Sequence, residues 1–477
     1  MRIKYFFGAI LYFPFSLIAQ PELTLADVVG LAQRQSVAAK VAENIRENNY
    51  FHWLAFRAAL RPQLGIEAGL PMYSRDFFEV RQPDGGILFL PRTQNNAQLG
   101  LALTQVLTGT GGRVSLRADM TRFDDFDRER VFYSATPLSI AIEQPLFAFN
   151  PFKWSRQIEP LKLQEAGKTY KFQMEAVALE AVQLFFDVVE AREAVHIAGL
   201  NLENNRLIHD IEKQRIVLGA TTREKLLQVE LQGLYASQEL LEAKADLQGA
   251  LLQLQVFLGA QYGEGFTLAV PEAVPEQSVD TALAIRMARE HRAEFIAFER
   301  RKLEAARDIE AAQRSRLQVN LQVTLGFNGA GERVREVFAP LKDRQRLGLA
   351  LFLPVMDWGR TRAREGLAAA NAQVVAYSIV QEESTLNLQI VNQVKGLEIY
   401  RSNIGFARAG NAIGAERYRL ALEQYHAGKL TLTDLNIALA EKDIARKAYF
   451  SALRRYWEAH YRLRQMTLYD FWAGQGI

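Results

Sequence analysis

The most informative pattern in the chain covers residues 316–327, which read Arg-Leu-Gln-Val-Asn-Leu-Gln-Val-Thr-Leu-Gly-Phe. Apolar side chains occupy every second position from Leu317 to Phe327, and polar or small residues fill the positions between them. Strict alternation over about ten residues predicts a β-strand with one apolar and one polar face, as in membrane β-barrels. Strands of soluble sandwiches also alternate, but they are usually only about five or six residues long. The stretch therefore predicts a sheet with lipid on one side and water on the other.

Three other segments alternate in the same way. They are predicted to be strands of the same sheet and comprise residues 64–72, 138–142 and 345–353. Together with residues 316–327 they give four strands for each chain.

The first half of the chain contains an insertion, residues 73–136, that the second half lacks. It carries two further alternating segments, residues 97–106 and 113–122, on either side of a glycine-rich turn. A charged run from Arg122 to Arg130 favours an extracellular extension of the sheet over additional lipid-facing strands. The expectation of four strands in the membrane is therefore unchanged.

Heptad periodicity dominates the remainder of the chain. One apolar seam steps by alternating threes and fours through Met174, Val177, Ala181, Leu184, Val188, Ala191, Val195, Ala198 and Leu202. We predict continuous helices over residues 153–216 and 360–424, each about 95 Å long at about 1.5 Å per residue. Shorter helices are predicted at residues 25–60, 221–257, 278–314 and 431–466.

The two halves of the chain repeat one another. Pro145 and Pro354, which each stand between a strand and a long helix, are 209 residues apart, and so are Gly219 and Gly428. A shared offset across a whole helix predicts two structural repeats with the same element lengths. We assign the repeats to residues 20–258 and 278–466, joined by a linker at 259–277 and followed by a tail at 467–477.

The N-terminus reads as a secretory signal peptide, residues 1–19. Arg2 and Lys4 precede an apolar run, Phe6–Ile18, that is too short for a spanning helix, and Ala19 marks the cleavage point. Cysteine is absent, which excludes disulfides, thiolate metal sites and cysteine nucleophiles. The mature chain is nearly neutral, so nothing indicates a nucleic-acid partner.

Four strands are too few to close a membrane barrel, which needs about eight or more. Because unpaired strand edges are not tolerated in lipid, several chains must share one barrel. Three chains would supply twelve strands.

Two motifs carry a resemblance to a known family. They are Leu353-Pro354-Val355-Met356-Asp357-Trp358-Gly359-Arg360-Thr361-Arg362 and Tyr425-His426-Ala427-Gly428-Lys429-Leu430-Thr431-Leu432-Thr433-Asp434-Leu435. With these motifs and the repeat, the mature chain resembles the TolC-like outer-membrane efflux proteins. The resemblance implies an α+β membrane protein that forms a homotrimer in the outer membrane of a Gram-negative bacterium. A twelve-stranded β-barrel would continue into a periplasmic helical barrel of coiled-coil helices.

The same resemblance implies a function and its partners. The trimer would be the passive exit duct of a tripartite efflux pump, fed by an inner-membrane pump, proton-driven or ATP-driven, through a periplasmic adaptor. The alternatives are the outer-membrane component of a type I protein secretion system and, in another class, a periplasmic coiled-coil scaffold without a pore. Alternating strands argue against the scaffold. No enzymatic activity and no cofactor are expected.

By the resemblance, the pore gate includes Asp434 and Tyr425. Asp434 would form a ring of three carboxylates, which selects for cations, but Ile437 and Leu430 replace charged residues of the family's gate. Lys225 stands at the equivalent position of the first repeat, 209 residues before Asp434. The two either pair and latch the closed state or are ordinary solvated charges.

The remaining candidate residues lie at turns. Gly219 and Gly428 suit a positive φ between antiparallel helices, and by the resemblance these hairpin tips also contact the adaptor. The strand-to-helix turns comprise Pro145, Pro354, Asp357, Trp358, Gly359 and Arg360. Asp357 is predicted to cap the helix and Trp358 to lie at the membrane boundary.

No motif indicates catalysis or a bound ion. The six histidines show no ligand spacing, Gly428-Lys429 lacks the first glycine of a phosphate loop, and no Ser-His-Asp arrangement is evident.

Overall fold

The structure is a computed structural model that describes residues 22–219, 221–259, 266–276 and 278–477. The predicted signal peptide and part of the predicted linker lie outside the described residues. Two compact units are present. One, here called the tip unit, comprises the described residues up to Asn44 together with Tyr170–His291 and Asn387–Ile477. The other, here called the sheet unit, comprises Ile45–Thr169 and Arg292–Leu386.

Eight α-helices account for most of the described chain. They are α1 Leu25–Gln35, α2 Val37–Ala59, α3 Pro151–Val217, α4 Arg223–Leu258, α5 Thr281–His291, α6 Ala293–Arg314, α7 Arg360–His426 and α8 Leu432–Thr467. Among these described helices, none contains a segment that is both long and apolar enough to cross a membrane.

The helices repeat with the offset found in the sequence. Helices α3 and α7 each contain 67 residues, and α4 and α8 each contain 36. All four pairs of helix ends are 209 residues apart. The observed spans of α3 and α7 extend the predicted ones by two residues or fewer at each end.

Two predicted helices are interrupted. Residues 25–60 divide at Ser36, which has an extended backbone and whose hydroxyl accepts a hydrogen bond from the backbone N–H of Ala39 at 3.1 Å. Ser36 therefore caps α2 instead of continuing α1. Residues 278–314 divide at Arg292, which is also extended (ψ 146°).

Eleven strands are present in the described residues, and seven of them form one sheet. The bounds are β1 Glu22–Leu23, β2 Gln63–Gly69, β3 Tyr73–Arg81, β4 Ile87–Leu107, β5 Gly112–Asp125, β6 Arg130–Leu146, β7 Thr267–Leu268, β8 Gln318–Gly331, β9 Lys342–Phe352, β10 Tyr469–Asp470 and β11 Gln475–Gly476. The large sheet has the order β2-β4-β5-β6-β8-β9, with β3 also paired to β4. Short two-stranded pairs join β1 to β7 and β10 to β11.

The expectation of four strands per chain is wrong. Strands β4 and β5 pair along their whole shared length, from Gln94–Asp125 to Leu107–Gly112, and β5 continues the sheet into β6. Strands β2 and β3 occupy successive parts of the same edge of β4. The chain therefore contributes six strand positions, because the β4–β5 hairpin of the predicted insertion pairs within the sheet. Strand β3 and the first part of β4 extend past the end of β5, where Gln94 pairs with Asp125.

The two faces of the large sheet differ in chemistry. A row of apolar side chains crosses five neighbouring strands in direct register, comprising Leu64, Leu103, Leu116, Ile140 and Leu325. The opposite face carries small, polar and charged residues, and one row there comprises Gly65, Ala102, Arg117, Ser139, Gly326 and Arg344. The alternation predicted for residues 316–327 therefore extends across all six positions.

The core of the tip unit lies between long helices. Phe185 and Phe186 of α3 and Leu453 of α8 are fully buried in one cluster. Ion pairs flank this cluster, including one between Arg464 and the buried Glu175 at 3.2 Å. Apolar seams pack the helices, as the heptads predicted.

The C-terminal residues fold back on the tip unit. Trp472 stacks face to face on His460, with ring centroids 3.5 Å apart and an angle of 2° between planes. Burial, together with the nearby cation of Arg464, lowers the pKa of His460 to about 3, although Asp470 opposes the shift. His460 is therefore neutral in the folded protein at ordinary pH.

A neutral buried histidine makes stability depend on pH. His460 binds a proton near pH 6.5 in the unfolded chain but only near pH 3 in the folded chain. The folded state is therefore favoured fully above about pH 6.5, and its free energy of unfolding decreases as the pH falls below that value. His460→Phe keeps a ring against Trp472 but removes the titration. Between pH 6 and 4 we expect the wild type to lose about 1.4 kcal/mol per pH unit more than the variant. Parallel pH profiles of the unfolding temperature would contradict this assignment.

Candidate gate at the helix-hairpin tips

Two helix hairpins in the tip unit have the same local geometry. Helix α3 ends beside Gly219 (φ 68°), and α7 ends beside Gly428 (φ 72°). Each glycine N–H donates to a carbonyl three residues earlier, that of Ile216 at 2.9 Å and that of Tyr425 at 3.0 Å. Positive φ is strained for residues with a Cβ, so the chain reverses at glycine in both hairpins.

Threonines begin the helices that follow. The Thr222 hydroxyl accepts from the backbone N–H of Lys225, and the Thr431 hydroxyl accepts from that of Asp434 at 3.2 Å. Both threonines are N-caps, and both charged residues stand three positions later. Lys225 and Asp434 therefore occupy equivalent places in the two repeats.

The Asp434 carboxylate lies on the surface and contacts its own cap. Thr431 Oγ1 donates to Asp434 Oδ2 at 2.6 Å. No ion pair joins Asp434 to Lys225 within the described part of one chain. A pair between neighbouring chains stays a prediction.

Tyr425, which is predicted to belong to the gate, lies in a buried polar network. Its side chain is buried, and its hydroxyl donates to Glu212 Oε1 at 2.6 Å. Arg215 donates to the same carboxylate oxygen at 3.0 Å and to the Tyr425 carbonyl oxygen at 2.8 Å. Thr221 Oγ1 donates to Glu212 Oε2 at 2.6 Å. We call these four side chains the tip network.

The tip network ties the end of α3 to the end of α7. The guanidinium of Arg215 also lies over the ring of Tyr425, 4.9 Å from its centroid. Burial opposes ionisation of Glu212, but hydrogen bonds from Thr221, Tyr425 and Arg215 outweigh it and hold the pKa of Glu212 below its ordinary value. Burial and the bond to Glu212 raise the pKa of Tyr425, so its hydroxyl stays a donor.

Glu212, Arg215 and Thr221 are site residues that no sequence motif indicated. Their equivalents in the second repeat are Ala421, Gln424 and Leu430, so polar partners come from the first repeat and the tyrosine comes from the second. A comparison of the repeats position by position would have shown this difference in charge.

Open grooves run along both helix pairs near the tips. One, of about 770 Å³, lies between α7 and α8 and is lined in part by Ile413, Leu420 and Asp434. The other, of about 640 Å³, lies between α3 and α4 and is lined in part by His209 and Leu234. The grooves present apolar and charged side chains together at the surface.

The strand-to-helix turns hold no such network. Asp357 accepts from the backbone N–H groups of Gly359 at 3.0 Å and Thr361 at 2.9 Å, and therefore caps α7. Trp358 is exposed and Gly359 has φ 84°. Arg360 is the first residue of α7, and Pro354 lies between β9 and that helix.

The first repeat makes the corresponding turn differently. Pro145 lies within β6, and Asn150 takes the capping position before α3. The Asn150 side-chain oxygen accepts from the backbone N–H of Phe152 at 3.1 Å.

The whole chain is similar to solved membrane channels. The outer membrane channel CmeC of Campylobacter jejuni matches with a TM-score of 0.68 and 15% identity, over 98% of this chain and 93% of that one. The open MtrE outer membrane channel of Neisseria gonorrhoeae matches with a TM-score of 0.65 and 15% identity, over 94% and 89%. The fold is that of outer-membrane channels.

A third structure, the outer membrane protein VceC of Vibrio cholerae, matches with a TM-score of 0.60 and 14% identity, over 93% of this chain and 95% of that one. No family model and no curated protein matches the sequence. At the level of fold, the α+β class and the resemblance to TolC-like proteins are confirmed.

The tip network yields a prediction with an internal control. Tyr425→Phe removes the hydroxyl that donates a hydrogen bond to the buried Glu212. The loss should lower the free energy of unfolding by about 1–3 kcal/mol and loosen the end of α7. The Tyr418 hydroxyl, seven residues earlier in α7, is buried and has no hydrogen-bond partner among the described residues, so Tyr418→Phe should be nearly neutral. Amide hydrogen exchange of residues 415–430 compares the two. Equal protection in both variants would show that the tip network does not hold the hairpins together.

Proposed function

We propose that the chain is the exit duct of an efflux system in the outer membrane of a Gram-negative bacterium, and that it conducts substrates passively. The observation that carries the proposal is the large sheet, which has one apolar and one polar face across six strand positions. A sheet with lipid on one side and a water-filled pore on the other requires this arrangement. The fold shared with outer-membrane channels supports it.

The apolar band has a suitable height. On β8 it runs from Val319 to Phe327, which is about 27 Å along the strand and about 21 Å along the membrane normal at a tilt of about 40°. Membrane barrels carry an apolar band about 25 Å tall. The band on β8 is therefore slightly shorter than that height but comparable to it.

Copies of the chain complete the duct. Strands β2 and β9 end the sheet of one chain, and unpaired strand edges are costly in lipid. We propose a homotrimer in which neighbouring sheets pair and the long helices extend into the periplasm. The hairpin tips at Gly219 and Gly428 would contact a periplasmic adaptor, which connects the duct to an inner-membrane pump.

The first test concerns assembly. The protein should fractionate with outer membranes, require detergent for extraction and run as a trimer in mild detergent, because the apolar face cannot be solvated by water. Native mass spectrometry of the detergent-extracted protein measures the copy number. A soluble monomer without detergent is incompatible with the proposal.

The second test concerns the gate. Asp434→Asn removes the charge while keeping an oxygen for the bond from Thr431, so it should reduce the cation selectivity of the pore. Lys225→Gln removes the opposing charge at the equivalent position and should raise cation selectivity. If the two residues pair between chains, each variant should also open more often, and modestly, since exposed pairs contribute only about 0–1 kcal/mol.

Single-channel recordings in planar bilayers measure both properties as reversal potential and open probability. Glu224→Gln, at an adjacent surface position of α4, controls for loss of charge alone. If Asp434→Asn and Lys225→Gln both leave selectivity and open probability unchanged, the two residues are solvated charges and not a gate.

A further inference from the structure

Six strand positions per chain change the expected size of the pore. We propose that the trimer closes an eighteen-stranded barrel, so that the membrane end of the duct admits solutes too bulky for a twelve-stranded one. The inference rests on the proposed trimeric duct and adds its strand number and width. Its source is the hairpin β4–β5, which lies in the sheet.

The hairpin is anchored at both of its long sides. Strand β4 pairs with β2 from Gln63–Thr104 to Gly69–Gln98, and β5 pairs with β6 from Arg113–Glu143 onward, with one register shift. The hairpin therefore has hydrogen-bonded neighbours on both edges. A loop extension beyond a barrel would not separate β2 from β6 in this way.

The turn between β4 and β5 is held at the helix end of the sheet. The Asn150 side-chain nitrogen donates to the carbonyl oxygens of Thr108 at 3.0 Å and Gly109 at 3.1 Å, while Asn150 also begins α3. Arg156 Nη1 donates to the Thr108 hydroxyl at 3.2 Å. Both strands therefore run the full height of the sheet, down to the level where β6 meets its helix.

The directions of the strands permit closure. Neighbours across the six positions are antiparallel at every step, so the edge strands β2 and β9 run in opposite directions. Strand β9 of one copy can therefore pair antiparallel with β2 of the next, as barrel closure requires.

The apolar side chains of the edge strands are more exposed than those of the central hairpin. Leu347 of β9 and Ile66 of β2 are 77% and 72% exposed, whereas Leu103 and Leu116, on the central hairpin, are 37% and 38% exposed. All four belong to the apolar face. A second copy on each edge would extend the apolar band without a break and cover these side chains laterally.

Width follows from strand number. Barrel diameter grows roughly linearly with the number of strands, so eighteen strands give a barrel about 1.5 times as wide as twelve. Barrels of about 16–18 strands enclose an aqueous channel. The polar face leaves room for one, since small residues such as Gly65, Ala102 and Gly326 occupy the same row.

Spin-label distances can count the strands. The chain has no cysteine, so Gln322→Cys on β8 and Gln98→Cys on β4 each give one label per protomer at an exposed position of the polar face. For a spacing of about 4.8 Å and a tilt of about 40°, equivalent backbone positions in a trimer lie about 31 Å apart with eighteen strands and about 21 Å apart with twelve.

We expect distances near the longer value at both sites, measured by double electron–electron resonance on the detergent-extracted trimer, with native mass spectrometry confirming three copies. A trimer with the shorter distance at Gln322 would overturn the eighteen-stranded barrel and leave the proposed duct intact. A dimer, which would close twelve strands, or a monomer would overturn the trimeric duct and this inference with it. Because both substitutions replace exposed glutamines, we expect the labelled protein to fold like the wild type.

Discussion

The backbone groups at the edges of the large sheet impose the main constraint on this protein. Each free edge exposes a row of N–H and C=O groups that can form hydrogen bonds with water but not with lipid. Strands β2 and β9 are such edges, and their side chains form an apolar face that water solvates poorly. In the proposed membrane setting, one chain alone would leave the edge groups of β2 and β9 without hydrogen bonds. The proposed duct therefore needs several copies of the chain.

The tip network stabilises a buried charge within one chain. Glu212 is a carboxylate buried among long helices, where an unpartnered charge would be costly. Three hydrogen bonds satisfy it, from Arg215, Thr221 and Tyr425, and the tyrosine comes from the other repeat. Removal of one partner costs more than the bond is worth, since the charge stays behind. Such a site makes the packing of the two hairpin ends specific as well as stable.

Features with a regular period could be predicted from the sequence. The ends of α3 and α7 were predicted within two residues, because heptads and a shared 209-residue offset extend over many turns. The two-faced sheet followed from alternation in residues 316–327. The breaks at Ser36 and Arg292 could not be predicted from periodicity, which continues across both. The tip network depends on contacts between residues more than 200 positions apart, and only Tyr425 was identified in advance, as a gate residue.

The prediction of four strands instead of six was wrong for a physical reason, which also shows where the two repeats can differ. Residues 97–106 and 113–122 were correctly predicted to be strands, but the charges from Arg122 to Arg130 suggested that they lie beyond the membrane. In the structure those charges surround the turn between β5 and β6, while the strands below them carry Leu99, Leu101 and Leu116 on the apolar face.

A hairpin adds two strands and preserves the alternation of direction, so it can enter a sheet without reversing either edge. The helices, whose lengths are equal in both repeats, tolerate no comparable insertion, because each residue added to a heptad seam rotates every later side chain by about 100°. The sheet is thus the part of this fold in which the two repeats are free to differ in size.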